Sequence, residues 1–346
     1  MIGEFDIPGY ERVLLCKEPL VGYRSIIAIH STLLGPAVGG TRVWNYQNDE
    51  EALKDALRLS RGMTYKNALA GLPFGGGKSV IIADNKTLDR QSIFRAHGRF
   101  IEALGGKYIT AEDVGTSVRD MEYVSKETNY VAGTSIQGGD PSPWTARGVF
   151  RGIQASAKYR WGNEDLADRT VALQGCGSVG FKLAKLLHGA GAELIIADYD
   201  DERVSAVLEE CRARRVDVAE ILQVSADIFA PCALGGIIND QTIPHFKFEL
   251  VAGAANNQLL DEKHGVELKQ KGILYAPDYV INAGGVISGS VYLTDGDATQ
   301  TVARVDEIYD TLMLIYEMAA TADISTNVAA NQLAEERLAW AAQVNQ

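Results

Sequence analysis

The sequence VALQGCGSVG, at residues 171–180, decides the fold. A short run that favours a strand is followed by the pattern G-x-G-x-x-G and then by a helical pattern with leucines on one face. In such a unit the glycines allow a tight turn, a close approach of the backbone to a pyrophosphate and close helix–strand packing, while the helix N-terminus attracts the anion. The predicted phosphate-binding residues are Gly175, Gly177, Ser178, Val179 and Gly180.

A second strand pattern ends just before Asp198, 23 residues after Gly175. A carboxylate at this place binds the ribose of NAD and repels the 2′-phosphate of NADP. Asp200 and Asp201 add negative charge, whereas Arg203 would tolerate a phosphate. The pattern therefore favours NAD, with another nucleotide on a Rossmann-like fold as the alternative.

The flanking sequence alternates between strand and helix patterns. Helices are predicted at 49–63, 91–104, 144–160, 178–190 and 201–212, and strands at 25–30, 79–83, 107–110, 170–174, 193–197, 228–230 and 250–252. In the second half, this alternation predicts a parallel sheet with helical crossovers. The fold class is therefore α/β throughout.

The length of 346 residues favours two domains, and the loop-like segment 133–143 is the best candidate for a hinge between them. We predict an N-terminal α/β substrate-binding and catalytic domain at 1–135, and a doubly wound Rossmann domain at 136–315. Helices at about 316–346 would pack back on the first domain.

Composition excludes several classes of protein. A net charge of −12 argues against a nucleic-acid partner. The four cysteines form no C-x-x-C pair and no histidine lies at ligand spacing, so neither a disulfide framework nor a metal site is expected. No basic leader and no long apolar run is present, which predicts a cytoplasmic protein with no membrane partner.

Two lysines twelve positions apart, Lys66 and Lys78, indicate amine redox chemistry beside a dinucleotide site. A lysine acts as a base near neutral pH when burial or a second cation lowers its pKa, and each lysine could be that cation for the other. The triple glycine before Lys78 would let backbone pack close to a ligand. Ordinary surface lysines are one alternative. A P-loop is another, but Leu72 stands where its first glycine belongs.

Eight motifs resemble those of the amino-acid dehydrogenases that act on leucine, valine, phenylalanine and tryptophan and, more distantly, on glutamate. They are GPAVGGTR at 35–42, GMTYK at 62–66, GGGK at 75–78, TAEDVGT at 110–116, PSPWT at 141–145, APCALGG at 230–236, AANNQL at 254–259 and APDYVINAGG at 276–285. The resemblance covers most of the chain. It implies reversible, NAD-dependent oxidative deamination of an apolar L-amino acid to a 2-oxo acid and ammonium, in a cleft that closes between the two domains.

The resemblance also implies roles for individual residues. Lys66 would bind the substrate carboxylate, Lys78 would be the general base, and Asp113 would assist proton transfer. From the sequence alone, Asp113 or Ser117 could instead cap the next helix. Further residues implied at the substrate are Val38, Gly39, Gly40, Ala111, Asn257, Val286 and Gly289, and at the cofactor Thr145, Cys232, Ala233, Asn256 and Asn282. Asn256 and Asn257 could equally form a turn.

One departure from the family bears on the substrate. If Gly289 stands where the family commonly has valine, the pocket is enlarged, and a bulky apolar side chain such as that of leucine, phenylalanine or tryptophan gains roughly 1–3 kcal/mol. The segment TAED at 110–113 resembles the branched-chain members, whereas Phe74 resembles the phenylalanine enzymes. The substrate is therefore predicted to be branched-chain or aromatic.

Two other functions compete with this one. A 2-hydroxy-acid dehydrogenase needs a histidine with a carboxylate partner, and none of the five histidines has that setting in the sequence. A catalytically inactive NAD-binding sensor or regulatory homologue would have lost the lysines and Asp113, which are intact. The resemblance further implies a homo-oligomer, either a dimer or an octamer.

Overall fold

The computed structural model describes residues 1–86, 88–134, 140–294 and 296–344. These form two compact units. Unit 1 contains the described residues within 1–139, 292–295 and 334–346, and unit 2 contains those within 140–291 and 296–333. Unit 1 also includes the described residues from 334 onwards, whereas the helices predicted to pack back on this domain begin at about 316. Residues 135–139, which include the predicted domain boundary and much of the predicted hinge, lie outside the described residues.

Unit 1 is built on a mixed sheet of six strands in the order β1-β2-β3-β5-β4-β6. The first three strands and β5 pair antiparallel, whereas β5, β4 and β6 pair parallel. The strands are β1 Ile2–Phe5, β2 Arg12–Glu18, β3 Tyr23–Ser31, β4 Ala37–Trp44, β5 Gly75–Ile82 and β6 Tyr108–Glu112, and the helices are α1 Asp49–Leu69, α2 Arg90–Glu102 and α3 Val118–Val124, with a 3-10 turn at Pro19–Val21. The sequence did not predict β1, β2 or β4.

Helices cover both faces of this sheet. Along β3, Ile26 and Ala28 join the core beneath α1, while Ile27 and Ile29 join the core on the α2 side. This alternation is the period of two expected of a strand whose two faces are both buried. The two faces therefore present different surroundings to every residue of β4 and β5.

Helix α1 is longer than predicted and changes the position of Lys66. The helix begins after Asn48, whose side chain accepts a hydrogen bond from the Glu51 N–H, and it continues to Leu69. Gly71, in the left-handed region at φ +63°, follows its end. Lys66 therefore lies in the last turn of α1 and not beyond it. The extension is stabilised by packing, since Thr64 and Tyr65 are buried.

The end of α1 is held by the C-terminal helix α12, which spans Thr326–Val344. Arg337 Nη1 donates hydrogen bonds of 2.8 Å to the carbonyl oxygens of Ala68 and Leu69. The Tyr65 hydroxyl donates to Glu335 at 2.6 Å. A cation at the last carbonyls of a helix satisfies groups that have no partner within the helix. The backbone that carries Lys66 is thereby fixed.

Unit 2 contains a parallel sheet of six strands in the order β12-β11-β10-β7-β8-β9, which is the Rossmann-like arrangement predicted from residues 171–180. Its core includes the stacked rings of Phe229 and Phe248. The strands are β7 Thr170–Gln174, β8 Glu193–Ala197, β9 Ala213–Arg215, β10 Ile228–Pro231, β11 Leu250–Val251 and β12 Leu274–Tyr275; the helices are α4 Ser142–Trp161, α5 Ser178–Gly189, α6 Asp201–Glu210, α7 Lys263–Gln270, α8 Asp278–Ile281, α9 Gly284–Leu293, α10 Ala298–Asp306 and α11 Ile308–Ala322, with a 3-10 turn at Ile243–His245.

The predicted α/β class is confirmed, with an N-terminal domain and a Rossmann-like parallel sheet. Over the described parts of the chain, every helix falls short of the length and apolarity that crossing a membrane requires.

Candidate functional site

Lys78 is a buried lysine at the centre of β5. It pairs across the sheet with Ala28, so its side chain points to the face that α1 covers. The residue is only 5% exposed, and its Nζ lies 3.0 Å from Oδ2 of Asp113. Burial lowers the pKa of Lys78, and the attraction of Asp113 does not restore it. Lys78 can therefore release its proton more readily than a surface lysine.

Arg42 is the neighbouring cation that lowers the pKa of Lys78, a part for which the sequence predicted Lys66. Its Nε donates to Asp113 Oδ2 at 2.9 Å, and its Nη1 donates to Asp55 Oδ2 at 3.0 Å. We call Arg42, Asp55, Lys78 and Asp113 the catalytic cluster, after the predicted roles of Lys78 and Asp113. Sequence reasoning missed Arg42 and Asp55. Alternation along β4 places Arg42 on the same face as Gly40, but this strand was not predicted from the sequence, so the alternation could not be used.

Asp113 is held as a carboxylate just beyond β6. Its burial would raise its pKa, but Lys78 and Arg42 outweigh that effect, and the pKa is lowered. The alternative that Asp113 caps a helix is wrong, because α3 begins after Ser117. The Ser117 N–H donates instead to Asp120 at 2.8 Å, as in a capping box.

The glycine pair at 39–40 lets β4 lie close to its neighbours β5 and β6. A Cβ added to Gly40 would lie 2.3 Å from the Glu112 carbonyl oxygen and 2.9 Å from the Asp113 Cβ. One added to Gly39 would lie 1.8 Å from the Gly77 carbonyl oxygen. Val38 lies on the α1 face beside Gly40, and Ala111 pairs with Gly40 across the sheet. The predicted substrate residues of β4 and β6 are thus neighbours of the Lys78–Asp113 pair.

The triple glycine at 75–77 belongs to β5. It packs against other parts of the protein, whereas the sequence predicted that it would let the backbone approach a ligand. A Cβ on Gly76 would lie 2.1 Å from the Thr64 backbone nitrogen, and one on Gly77 would lie 2.6 Å from the Tyr108 ring. The absent side chains let α1 pack directly on the strand. A P-loop is excluded, because that motif joins a strand to a helix, whereas Lys78 lies inside a strand.

Lys66 lies in the last turn of α1, the helix that packs on β5. It follows Thr64, which meets Gly76 of β5, by two residues, so it lies on a different side of the helix from Thr64. Lys66 is half-buried, in contrast to the buried Lys78.

The opposite face of the same sheet carries neutral polar groups. Thr41 Oγ1 lies 2.8 Å from His97 Nε2, and the Tyr108 hydroxyl donates to the Gly39 carbonyl oxygen at 2.6 Å. Burial lowers the pKa of His97 to about 3, so the imidazole is neutral. We call Tyr23, Ser25, Thr41, Ser79, His97, Tyr108 and Thr110 the neutral network. The hydrogen bonds of the neutral network stabilise the strands on the face of the sheet opposite Lys78.

In unit 2, the cofactor loop, residues 174–180, has the geometry that a pyrophosphate requires. Gly175 adopts φ +98°, and its N–H donates to the Ala197 carbonyl oxygen at 2.8 Å. A Cβ on Gly180 would lie 1.9 Å from the Gly175 carbonyl oxygen. The space beside Gly177, which caps α5, contains only Arg203 Nη1 at 4.0 Å. Ser178 and Val179 form the first turn of α5. This open space at a helix N-terminus fits an anionic group.

Asp198 follows β8 and is bonded to the cofactor loop. Its Oδ2 accepts from the Cys176 N–H at 2.6 Å, and its Oδ1 accepts from the Asp200 N–H at 2.9 Å. Asp200 in turn pairs with Arg203 at 3.1 Å. Asp200 therefore partly compensates the positive charge of Arg203, the residue whose charge argued against NAD in the sequence.

Two predicted cofactor asparagines are brought together. Asn282 Nδ2 donates to Asn256 Oδ1 at 2.7 Å and to the Ala254 carbonyl oxygen at 3.0 Å. Asn257 adopts φ +52°, as in a turn, and its N–H donates to Asp278 at 2.8 Å. The turn and the proposed binding roles are therefore compatible.

The remaining predicted cofactor residues lie near these two sets. The Cys232 N–H donates to the Gln174 carbonyl oxygen at 2.7 Å, and a Cβ on Gly175 would lie 2.9 Å from the Ala233 nitrogen. Thr145 Oγ1 lies 2.9 Å from the position of a Cβ on Gly285, at the start of α9. Unit 2 thus gathers its predicted residues around the cofactor loop and the start of α9.

Val286 and Gly289 lie three positions apart on α9, and so on one side of the helix. Both are half-buried, whereas the intervening Ile287 and Ser288 are buried. A Cβ added to Gly289 would meet no atom within 4 Å. The position therefore has room for a larger side chain.

One group of possible metal ligands was not predicted. Asp240, His264 and Glu267 bring one ligand atom each within 4.8 Å of one another. The Lys263 Nζ already lies 2.6 Å from Asp240 Oδ1, so an ammonium group supplies the positive charge there. The sequence showed no metal-ligand pattern here, because Asp240 lies 24 residues before His264.

Comparisons with known proteins agree with this arrangement. Residues 12–130 match the model of the Glu/Leu/Phe/Val dehydrogenase dimerisation domain, and residues 196–345 match that of glutamate/leucine/phenylalanine/valine dehydrogenase. The chain is 52% identical over 332 residues to a leucine dehydrogenase of Geobacillus stearothermophilus, which covers 95% of this chain and 90% of that protein. It is 48% identical to an L-tryptophan dehydrogenase of Nostoc punctiforme, over 95% of this chain and 94% of that one.

The fold agrees as well as the sequence. The crystal structure of L-tryptophan dehydrogenase from Nostoc punctiforme superposes with a TM-score of 0.87 at 46% identity, covering 97% of each chain. The chain therefore belongs to the glutamate/leucine/phenylalanine/valine dehydrogenase family, and it is an amino-acid dehydrogenase, an oxidoreductase that acts on CH–NH2 donors.

Proposed function

We propose that Lys78 is the general base, and Asp113 its partner in proton transfer, in the reversible oxidative deamination of an apolar L-amino acid. The observation that carries this proposal is the buried ion pair of 3.0 Å between a lysine of lowered pKa and a carboxylate. The overall reaction converts the amino acid, NAD⁺ and water into a 2-oxo acid, ammonium, NADH and a proton. Bound NAD⁺ supplies the acceptor for the hydride that leaves Cα.

Each proton transfer can be assigned to a group of the catalytic cluster. The substrate ammonium group first releases one proton, so that loss of hydride from Cα leaves an iminium ion. Neutral Lys78 then removes a proton from the water that attacks the iminium carbon, which gives a carbinolamine. The C–N bond breaks as the carbinolamine hydroxyl loses its proton and the C=O bond forms. Both protons of the water pass to the nitrogen, which leaves as ammonium, and Asp113 carries the proton that Lys78 had taken up. A base of lowered pKa suits this step, because a larger fraction of it is unprotonated than of a surface lysine at the same pH.

We propose that Lys66 binds the substrate carboxylate. Its place in the last turn of α1, the helix that packs on the strand carrying Lys78, supports this role, and so does its half-buried side chain. The arriving carboxylate would also compensate the positive charge of the lysine. Gly39, Gly40, Val38 and Ala111 would line the substrate with backbone and small side chains, and Asn257 would also bind the substrate.

We propose NAD rather than NADP as the cofactor. The Asp198 carboxylate, oriented by two backbone N–H groups, supports this choice, because it can accept from a ribose hydroxyl and would repel a phosphate. The cofactor loop would hold the pyrophosphate, flanked by Cys232 and Ala233, while Thr145, Asn256 and Asn282 would bind the nicotinamide end. An Asp198→Ser variant should lose affinity for NADH and gain affinity for NADPH, as measured by fluorescence titration without turnover.

The preferred side chain is proposed to be bulky and apolar, such as that of leucine, phenylalanine or tryptophan. The space beside Gly289 supports this preference. We also propose a cytoplasmic homo-oligomer, a dimer or an octamer, in which residues 1–135 supply catalysis and residues 136–315 hold NAD. The match of residues 12–130 to a dimerisation domain supports self-association.

The decisive experiment is NADH formation at mildly alkaline pH with a panel of L-amino acids. The native chain should oxidise apolar amino acids, and Lys78→Ala should lose about 10²–10⁴-fold in kcat while still binding NADH. Lys54→Ala, at an exposed lysine of α1, is the matched control. Activity retained in Lys78→Ala would exclude this base. No activity in the native chain, with NADH still bound, would favour the sensor alternative.

The same panel tests the pocket. Gly289→Val should lower kcat/KM for the largest substrates relative to valine by about 5–150-fold, the equivalent of roughly 1–3 kcal/mol. A native enzyme that already prefers valine over leucine, phenylalanine and tryptophan would contradict the enlarged pocket.

A further inference from the structure

We propose that Arg42 is a positioning residue that sets the protonation behaviour of the Lys78–Asp113 pair. The inference rests on the proposed role of Lys78 as base and extends it to a residue with no assigned part. Arg42 lies on β4, on the same face of the sheet as Lys78, and its side chain is 19% exposed. It reaches the Asp113 oxygen that Lys78 also contacts.

Both ends of the guanidinium group are held in place. Nε donates to Asp113 Oδ2 at 2.9 Å while Nη1 donates to Asp55 Oδ2 at 3.0 Å. Asp55 is fixed in turn by the Tyr46 hydroxyl, which donates to Oδ2 at 2.7 Å, and by Arg58, which donates to Oδ1 at 3.1 Å. The planar fork of an arginine can span two carboxylates, which a single ammonium group does less well.

The consequence for Lys78 follows from the shared oxygen. Asp113 Oδ2 accepts from Arg42 whether or not Lys78 carries its proton, so loss of that proton leaves Asp113 with a buried cationic partner. Arg42 also repels the ammonium form of Lys78 directly. Both effects favour neutral Lys78, the form that acts as the base.

Several charged and titratable groups share this face of the sheet with Lys78. They are His30 on β3, Arg42 and Tyr46 on or beside β4, Asp55, Arg58, Arg61, Tyr65 and Lys66 on α1, and Asp113 beyond β6. Among them, Asp113 favours the charged form of Lys78 most strongly, with a smaller effect of Asp55 in the same direction, and Arg42 opposes both. Removal of Arg42 should therefore raise the pKa of Lys78.

The test is the pH dependence of kcat/KM for amino-acid oxidation in the native chain and in Arg42→Gln. The rising limb of the profile should move to higher pH by about half to one unit, a 3–10-fold loss below the limb that is recovered at alkaline pH. Arg12→Gln, which breaks an exposed ion pair of β2, is the control and should leave the limb in place. An equal loss of kcat/KM at every pH would overturn the proposal, since this is the result expected for a residue with a purely structural role.

Arg42→Lys keeps the positive charge but lacks the planar guanidinium group that spans two carboxylates. This variant replaces Arg42→Gln in the test if Arg42→Gln does not fold. Its limb should stay near the native position while kcat/KM falls several-fold. A limb displaced as far as that of Arg42→Gln, or an unchanged kcat/KM, would contradict the proposal. If Lys78→Ala retains activity, the assignment of the base fails; if Lys78→Ala is inactive but Arg42→Gln leaves the limb in place, only the role of Arg42 fails.

Discussion

The catalytic cluster and the cofactor loop reach their chemistry by different means. The catalytic cluster places two cations and two carboxylates from two strands, one helix and the segment after β6 within hydrogen-bonding distance in a buried setting. The cofactor loop uses backbone geometry, three glycines and a helix N-terminus, all within seven residues. Charged side chains buried together depend on one another, whereas a backbone turn depends on the space that its glycines leave. Substitutions in the two regions should therefore fail in different ways.

The largest effect is expected when the catalytic cluster loses an anion. Asp113→Asn removes the partner of both Lys78 and Arg42 and leaves two buried cations close together. We expect kcat to fall by about 10²–10⁴-fold. The remaining activity should have its rising limb at lower pH, because the Lys78 pKa falls further without the carboxylate. Asp6→Asn, at an exposed aspartate, is the control. A limb displaced to higher pH would contradict the charge balance proposed for the cluster.

A glycine beside the catalytic cluster, Gly40, offers a steric test. In Gly40→Ala the new Cβ would lie 2.3 Å from the Glu112 carbonyl oxygen, so β6 must shift and carry Asp113 with it. A displacement of about 1 Å at a catalytic group costs roughly 10²-fold in rate. Gly62→Ala, on the exposed side of α1 where nothing lies within 4 Å, should keep full activity. Steady-state kinetics of the two variants decide the point, and equal rates would show that Asp113 tolerates the shift.

The cofactor loop should respond in affinity rather than in chemistry. In Gly180→Ala the added Cβ would lie 1.9 Å from the Gly175 carbonyl oxygen, which must move at the tight turn. Overpacking of this kind costs about 1–3 kcal/mol, equivalent to a 5–150-fold weaker binding of NADH. Gly189→Ala, at the open end of the same helix, is the matched control. Fluorescence titration measures both, and unchanged affinity in Gly180→Ala would show that the turn is not needed for binding.

The same contrast explains what the sequence could predict. The cofactor loop was predicted residue by residue because its signal is local. The catalytic cluster was predicted only in part, since Arg42 meets Asp113 beside Lys78 through the strand order β5-β4-β6, and Asp55 meets Arg42 from α1. Strand β4 contains two glycines, which favour strands poorly, and without the strand the alternation that places Arg42 beside Lys78 could not be recognised. Packing on β5 likewise extends α1 to include Lys66.

The smallest effect concerns the neutral network on the opposite face of the N-terminal sheet. His97 has a pKa of about 3 in the folded chain, below the ordinary 6.5, so the unfolded chain binds a proton that the folded chain refuses. Stability is therefore complete above about pH 6.5 and is lost as the pH falls towards 3. Between pH 7.5 and pH 5.5 the loss from this histidine is about 1.4 kcal/mol.

Denaturant unfolding of the native chain and of His97→Gln at these two pH values tests this difference between the faces. The native chain should lose about 1.4 kcal/mol more than the variant as the pH falls, because glutamine does not titrate. The imidazole lies in the network with Tyr23 and Thr41, away from the charges of the catalytic cluster, so the effect belongs to folding and not to catalysis. If both proteins lose the same free energy, the pH dependence comes from other groups, and the neutral state of His97 is not what fixes this face of the sheet.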